Sequence, residues 1–175
     1  MASVVESRER GRLRLRRGQA VALVVAVLLT ATLVRSELVD MVRVESDSMA
    51  PTTCSGDLVL VSRWNPRAAK VNDIVIFSSP VDAKPLIKRV VGVTGQSVAI
   101  EDGQLVVDGR DVLEPYVDLD SIDGVYYGPV QVPNGTVLVM GDHREVSVDS
   151  RSYGPVPVGD ISGRRLANVW SSCPS

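Results

Sequence analysis

Hydrophobic positions along this chain obey two different rules, and the change between them divides it. Between Arg17 and Arg35 lie 17 residues without a charge, and Ala20 to Val34 (AVALVVAVLLTATLV) is apolar apart from two threonines. As a helix rising ~1.5 Å per residue that stretch spans ~26 Å, close to the ~30 Å hydrocarbon core of a bilayer, with flanking arginines able to snorkel. A cleaved secretory signal has a similar profile, but ATLVRSELV offers no clear small-x-small cleavage site, so the pattern predicts a permanent anchor. After residue 41 the apolar positions come instead in short β-branched runs: Leu58 to Arg63 (LVLVSR), Asp73 to Ser79 (DIVIFSS), Leu86 to Val93 (LIKRVVGV) and Thr136 to Met140 (TVLVM). These read as strands.

Turn chemistry separates the runs. Ser55-Gly56-Asp57, Glu101-Asp102-Gly103-Gln104 between SVAI and LVV, Asp108-Gly109, Pro133-Asn134-Gly135 and Gly141-Asp142 all carry residues that accept tight or left-handed backbone, and hairpins are expected at several of them. No long segment with a 3.6-residue period follows residue 41, and there is no repeat, heptad or glycine-rich phosphate loop. The stretch from Asp111 to Asn134, rich in proline, glycine and aspartate, reads as an excursion from the sheets. The expected fold is therefore mainly β, a compact antiparallel domain preceded by one N-terminal transmembrane helix.

Charge sharpens this division. Residues 1 to 17 hold six arginines against Glu6 and Glu9, a local +4, so the remainder of a chain with net charge -2 carries -6. A basic flank stays cytoplasmic by the positive-inside rule. The expected organisation is a cytoplasmic tail over 1–17, an anchor over 18–35 embedded in the lipid bilayer and an extracytoplasmic domain over 36–175. With 175 residues there is room for one such domain. The slightly acidic balance supplies no field for nucleic acid, and two cysteines with one histidine cannot build a structural zinc site.

Serine hydrolysis needs a base beside the hydroxyl. The only histidine, His143, lies in a charged, turn-like segment. Lysine can replace histidine when burial lowers its pKa from ~10.4 toward ~7 to 8, a shift of about three units costing ~4 kcal/mol. Of the three lysines, Lys70, Lys84 and Lys88, only Lys88 lies inside an apolar strand, on one face with Leu86 and Val90. Arg89 falls on the opposite face with Ile87 and Val91, from where its charge can lower the lysine pKa through space. Taken alone, Lys88 reads equally well as a charge that protects a strand edge from aggregation.

Four ordered segments shift that balance: Ser46-Asp47-Ser48-Met49-Ala50-Pro51-Thr52, then Gly56-Asp57, then Lys88-Arg89-Val90-Val91-Gly92, and last Gly141-Asp142-His143-Arg144 running to Ser147 and Asp149-Ser150-Arg151. Together with Glu114-Pro115-Tyr116-Val117 and Gly163-Arg164, this set resembles the bacterial type I signal peptidases from about Val42 to Trp170. The resemblance implies a membrane-bound serine endopeptidase that removes N-terminal signal peptides from exported preproteins, without metal or organic cofactor. Ser48 would be the nucleophile and Lys88 the general base. The Ser48 N–H and the Ser46 hydroxyl match the oxyanion donors. Ser147 aligns with a serine that positions the lysine by hydrogen bonding, and Asp142, Arg144, Asp149 and Arg151 with polar residues that brace the site. His143 stands where that family often has asparagine and reads as structural. Glu45 and Asp47 depart from the family pattern by placing negative charge beside Ser46.

An extended substrate can add as a strand to a sheet edge and present alternate side chains to two shallow pockets. The resemblance implies small residues at -1 and -3, with Val42, Val44, Met49, Leu86 and Ile87 near enough to line those pockets. A Cys54–Cys173 bridge fits an oxidising exterior, and Trp64 and Trp170 fit either a lipid interface or ordinary core packing. Two rival readings carry less: a catalytically silent membrane-anchored binding protein on the same scaffold, which has no need of both Ser48 and Lys88, and a self-cleaving repressor-like protease, which would begin with a DNA-binding domain.

Overall fold

In the computed structural model of the chain, residues 19, 21–30, 38–117 and 125–173 are described, and residues 1–38 and 39–175 form separate units. In the first unit, residues 21–30 are helical, with exposed side chains that include Leu23, Leu28 and Leu29. Among the described residues no helix is long and apolar enough to cross a membrane. The basic tail, and residues 18, 20 and 31–35 of the expected anchor, lie outside the described residues.

Among the described residues, the second unit is built from eleven strands in two antiparallel sheets. The larger contains β1 (Val39–Arg43), β2 (Leu58–Ser62), β3 (Ile74–Ser78), β4 (Pro85–Val93), β9 (Thr136–Met140), β10 (Val156–Pro157) and β11 (Ile161–Trp170), ordered β1-β2-β11-β3-β4-β9-β10. The smaller contains β5 (Ser97–Glu101), β6 (Gln104–Val107), β7 (Arg110–Asp111) and β8 (Tyr127–Gln131), ordered β7-β6-β5-β8. Apart from a four-residue helix, Ser150–Tyr153, the described helical elements of this unit are 3-10 turns.

All four predicted strand segments are present as β2, β3, β4 and β9. Two of the turn signals make tight hairpins. Asp102-Gly103 joins β5 to β6 and Asp108-Gly109 joins β6 to β7, both with positive φ at both positions (52° and 79°, 52° and 73°), the backbone a two-residue hairpin requires. Pro133-Asn134-Gly135 is different, because it carries the chain from β8 in one sheet to β9 in the other. The excursion after Asp111 also returns: Tyr127–Gln131 pairs with β5 as an edge strand, and Val117 is buried.

β11 was not legible in the sequence. It pairs with β2 on one side and β3 on the other, near the middle of the large sheet, yet ISGRRLANVW has no alternation. Bulges between Arg165 and Ala167 and between Asn168 and Trp170 break the period of two, and only Ile161 and Gly163 are fully buried. Three apolar clusters fill the unit. One joins Val75, Phe77, Val90 and Val139; the second joins Val91, Val98, Ile100 and Leu138; the third, smaller, holds Val44, Val59, Val61 and Ile76. Strand β4 contributes to the first two through Val90 and Val91, which face opposite ways. Trp64 and Trp170 are both 66% exposed, which excludes core packing as their explanation.

The loop from Val44 to Asp57 leaves edge strand β1 and returns to β2. Its neck is closed by Val44 N–H to Asp57 O (2.9 Å) and Gly56 N–H to Val44 O (2.8 Å). Asp57 is fully buried and accepts hydrogen bonds from the Cys54 N–H, the Ser172 N–H and hydroxyl, the Ser171 hydroxyl and the Asn168 amide; burial alone would raise its pKa, but the Ser172, Cys54 and Ser171 donors hold it below the ordinary carboxylate range. Beside it, Cys54 and Cys173 form a disulfide with Cα atoms 5.2 Å apart, joining the loop to the end of the chain across 119 residues. A bridge closing so long a loop restricts the unfolded chain strongly, by ~4 to 5 kcal/mol on loop entropy alone. The Cys173→Ser variant is expected to lose about 2 to 5 kcal/mol in a chemical denaturation experiment, and reductant should lower the wild type to the variant's midpoint while leaving the variant unchanged.

Candidate active site

Strand β4 carries Lys88 and Arg89 on opposite faces and delivers them to different partners. Lys88 is 3% exposed, and its Nζ lies 2.6 Å from Ser48 Oγ in the β1–β2 loop, 40 residues earlier. Nζ also donates to the carbonyl of Ile87 at 3.1 Å. Ser48 is itself buried, and its Oγ lies 3.2 Å from Ser46 Oγ. An amine, a hydroxyl and a second hydroxyl therefore stand in one hydrogen-bonded row.

The lysine pKa is lowered from 10.5 to about 8, with burial as the largest cause. Asp149 and Asp142 oppose that shift and Arg151 assists it. The cation that acts through space is thus Arg151, rather than the neighbouring Arg89. Arg89 is committed elsewhere: its Nε and Nη2 donate to Asp142 at 2.8 and 2.6 Å, and its guanidinium lies 3.7 Å from the centroid of the Tyr116 ring. Thr52 completes the Asp142 carboxylate with a 2.5 Å hydrogen bond from its hydroxyl.

Asp149 is matched in the same way. Burial would raise its pKa, but Arg151 donates Nε and Nη2 to it at 2.8 and 2.9 Å and the Gly141 N–H adds a bond at 3.0 Å, so it is held below the ordinary carboxylate range. Asp149 also caps the short helix Ser150–Tyr153 by accepting from the Arg151 N–H at 3.2 Å, and Ser150 Oγ accepts from the Val139 N–H at 2.9 Å. The helix is thereby pinned to β9. Each carboxylate near Lys88 thus has its own arginine, which limits how far either can draw a proton onto the amine.

Arg144 donates to Gly141 O and to Glu114, its side chain and that of Glu114 each only 1% exposed. Glu114 and Tyr116 belong to the segment read from sequence as an excursion. Their carboxylate, hydroxyl and ring instead link that segment to Arg144 and Arg89. The resemblance included Glu114-Pro115-Tyr116-Val117 among its segments but gave these side chains no role.

The structure separates some of the expected residues. Hydrogen bonds from Lys88 Nζ go to Ser48 and Ile87, and Ser147 does not share in them. Its hydroxyl is instead packed against Gly141, where a Cβ would stand 2.3 Å from it, and beside the Asp149 carboxylate. Met49 is fully buried, bridging to Thr53, and lies apart from any surface a substrate could touch. Val42, Val44, Leu86 and Ile87 do line a common groove of about 640 Å³, together with Ser46, Lys88 and Ile76. β1 and β4 are not neighbours in the large sheet, so its coiling brings them to one groove. Arg43, Glu45, Asp82 and Lys84 add charge to the same groove. Among the described residues no cluster of side chains could hold a metal ion.

Comparison with known proteins places this geometry in context. The family described as signal peptidase, peptidase S26 matches residues 17–170. The chain is similar to signal peptidase I V of Bacillus subtilis (strain 168), 36% identical over 154 residues that cover 80% of this chain and 90% of that protein. It is also similar to a probable chloroplastic thylakoidal processing peptidase 2 of Arabidopsis thaliana, 38% identical over 79% of this chain but only 40% of that longer protein. Among solved structures, a signal peptidase I from Enterococcus faecalis V583 superposes with a TM-score of 0.50 at 26% identity, covering 55% of this chain and 95% of that one. A match over this much of the sequence, joined to the antiparallel β architecture, leads to one conclusion: the chain belongs to the signal peptidase family, peptidase S26.

Proposed function

We propose that this peptidase cuts signal peptides from exported preproteins by a Ser-Lys mechanism, with Ser48 as nucleophile and Lys88 as general base. The observation that carries the reading is the 2.6 Å approach of a buried Lys88 Nζ to Ser48 Oγ, with the lysine pKa near 8. Near neutral pH a useful fraction of the amine is uncharged. In that state the Ser48 O–H donates to Nζ, while Nζ–H donates to Ile87 O and keeps the lone pair aimed at the hydroxyl.

Attack of Ser48 Oγ on the scissile carbonyl moves the hydroxyl proton to Nζ and the carbonyl π electrons onto oxygen. The Ser48 N–H, which donates to no protein acceptor among the described residues, and the Ser46 hydroxyl receive that oxyanion. Lys88 then protonates the leaving amine and afterwards takes a proton from the water that frees the acyl group. The groove lined by Val42, Val44, Leu86 and Ile87 accepts small side chains at -1 and -3 of an extended substrate pairing along β1. Anchoring by residues 18–35, with 1–17 cytoplasmic and 36–175 outside, would present the groove to a substrate still held in the bilayer.

Purified full chain acting on a model preprotein tests the assignment. Ser48→Ala and Lys88→Ala are each expected to lose cleavage by at least 10³-fold while keeping the wild-type circular dichroism spectrum. A serine-directed acylating probe should label the wild type and not Ser48→Ala; an unlabelled wild type would favour a silent binding protein. Persisting turnover in Lys88→Ala would remove the proposed base.

The pH dependence has a definite sign. Activity requires the neutral amine, so kcat/KM should rise with pH along a single-proton limb centred near 8. The folded-state pKa is the lower one, so between about 8 and 10.5 the unfolded chain binds more protons at this site and stability rises with pH through that window. Below it, burying the ammonium costs on the order of 3 kcal/mol at ~1.36 per unit. The Lys88→Met variant should therefore gain stability relative to wild type at pH 6 by more than at pH 10.5, measured by urea denaturation at both values.

A further inference from the structure

His143 is the only histidine, and the proposed proton transfers make no use of it. It nevertheless bonds to both peptide groups that flank Ser48. Its backbone N–H donates to Ser48 O at 3.2 Å, and its ring Nδ1 lies 3.3 Å from Asp47 O. A carbonyl oxygen can only accept, so that second bond requires the proton on Nδ1. The neighbouring Gly141 presses on the same place: a Cβ there would stand 2.4 Å from Ser48 O, so only glycine lets the segment approach so closely. Gly141 is in turn held through its N–H by Asp149, at 3.0 Å.

The Asp47–Ser48 peptide is a rigid trans unit in which C=O and N–H point in opposite directions. Fixing Asp47 O therefore fixes the direction of the Ser48 N–H. Within the loop, Asp47 O is also bonded by the Ala50 N–H at 3.0 Å, but that bond belongs to the turn and moves with it. The His143 ring ties the same oxygen to a different part of the fold, the segment that leaves β9. Resting on the assignment of Ser48 as nucleophile with its N–H as oxyanion donor, we propose that His143 is a positioning residue that locks the plane of the Asp47–Ser48 peptide and so aims the oxyanion donor. It exchanges no proton with substrate. Its contribution appears when the carbonyl oxygen becomes charged and not when the neutral peptide binds.

A transition-state mimic separates these two stages. In a peptide aldehyde with a small residue at -1, Ser48 Oγ bonds to the aldehyde carbon, the hydroxyl proton passes to Lys88, and the former carbonyl oxygen becomes the oxyanion. Deleting an oxyanion donor costs ~10²- to 10³-fold in other hydrolases. Loosening one is expected to cost roughly tenfold, well inside that limit. In His143→Ala, kcat should fall about tenfold and aldehyde affinity by the same factor, with KM for the preprotein and the thermal midpoint unchanged. His143→Asn places an amide N–H the same number of bonds from Cα as Nδ1 and should restore most of both. Wild-type kcat and aldehyde affinity in His143→Ala would overturn the proposal, as would equal losses in the alanine and asparagine variants or a loss that only tracks a fall in thermal midpoint. Ser48→Ala runs in the same assay: if it still cleaves, the nucleophile assignment fails and this inference with it, an outcome distinct from a silent His143→Ala beside an inactive Ser48→Ala.

Discussion

An ammonium buried beside a hydroxyl is the constraint around which this domain is arranged. Taking Lys88 out of water favours its neutral form, but any unmatched carboxylate nearby would return the proton to it. Asp142 and Asp149 are both close enough to do so, and each is paired with an arginine, Arg89 for one and Arg151 for the other. The polar ring around the site therefore protects the amine by occupying the acids that surround it. Glu114 and Arg144 extend the same logic one layer outward, pairing where neither side chain reaches water. A buried pair of this kind adds little net stability, yet breaking it strands a charge, which ties the segment around Glu114 to its place.

The loop bearing the serine has the opposite problem, since an excursion of this length from an edge strand has no ladder to hold it. It is fixed from several sides. Buried Asp57 collects donors from the loop and from the end of the chain, the Cys54–Cys173 disulfide joins the same two parts, and Gly141 with His143 closes on Ser48 from the segment after β9. Preorganisation of this kind is what electrostatic stabilisation of a developing charge needs, because donors already in place cost no reorganisation when the reaction occurs. In the proposed mechanism, the anchoring of the loop and the lowered pKa of the lysine together connect an otherwise ordinary β fold to peptide-bond chemistry.

The sequence-based expectations succeeded and failed for identifiable reasons. Strands β2, β3, β4 and β9 were legible because β-branched runs bounded by turn residues have few other outcomes. Strand β11 was not, because three register shifts destroy its alternation and half of it is exposed. The ordered serine and lysine segments identified the family, and the two side chains do meet. Ser147 was expected to hold the lysine and instead packs on Gly141, while Met49 was expected on the groove and is fully buried. Neighbourhood in sequence located both correctly near the site, but side-chain direction depends on the path of a loop, which has no period to read.

What the sequence by itself determined is therefore local and chemical: an uncharged apolar stretch behind a basic tail, a valine-rich β body, and a lysine whose same-face strand neighbours, Leu86 and Val90, are apolar. Only the tertiary structure decided which charge faces which. Arg89 and Arg151 are interchangeable on paper as cations near Lys88, and the fold assigns one to Asp142 beneath the Tyr116 ring and the other to Asp149. The first pairing joins residues 53 positions apart and the second residues two apart at a helix cap, and both depend on angstrom-scale distances that no linear pattern encodes.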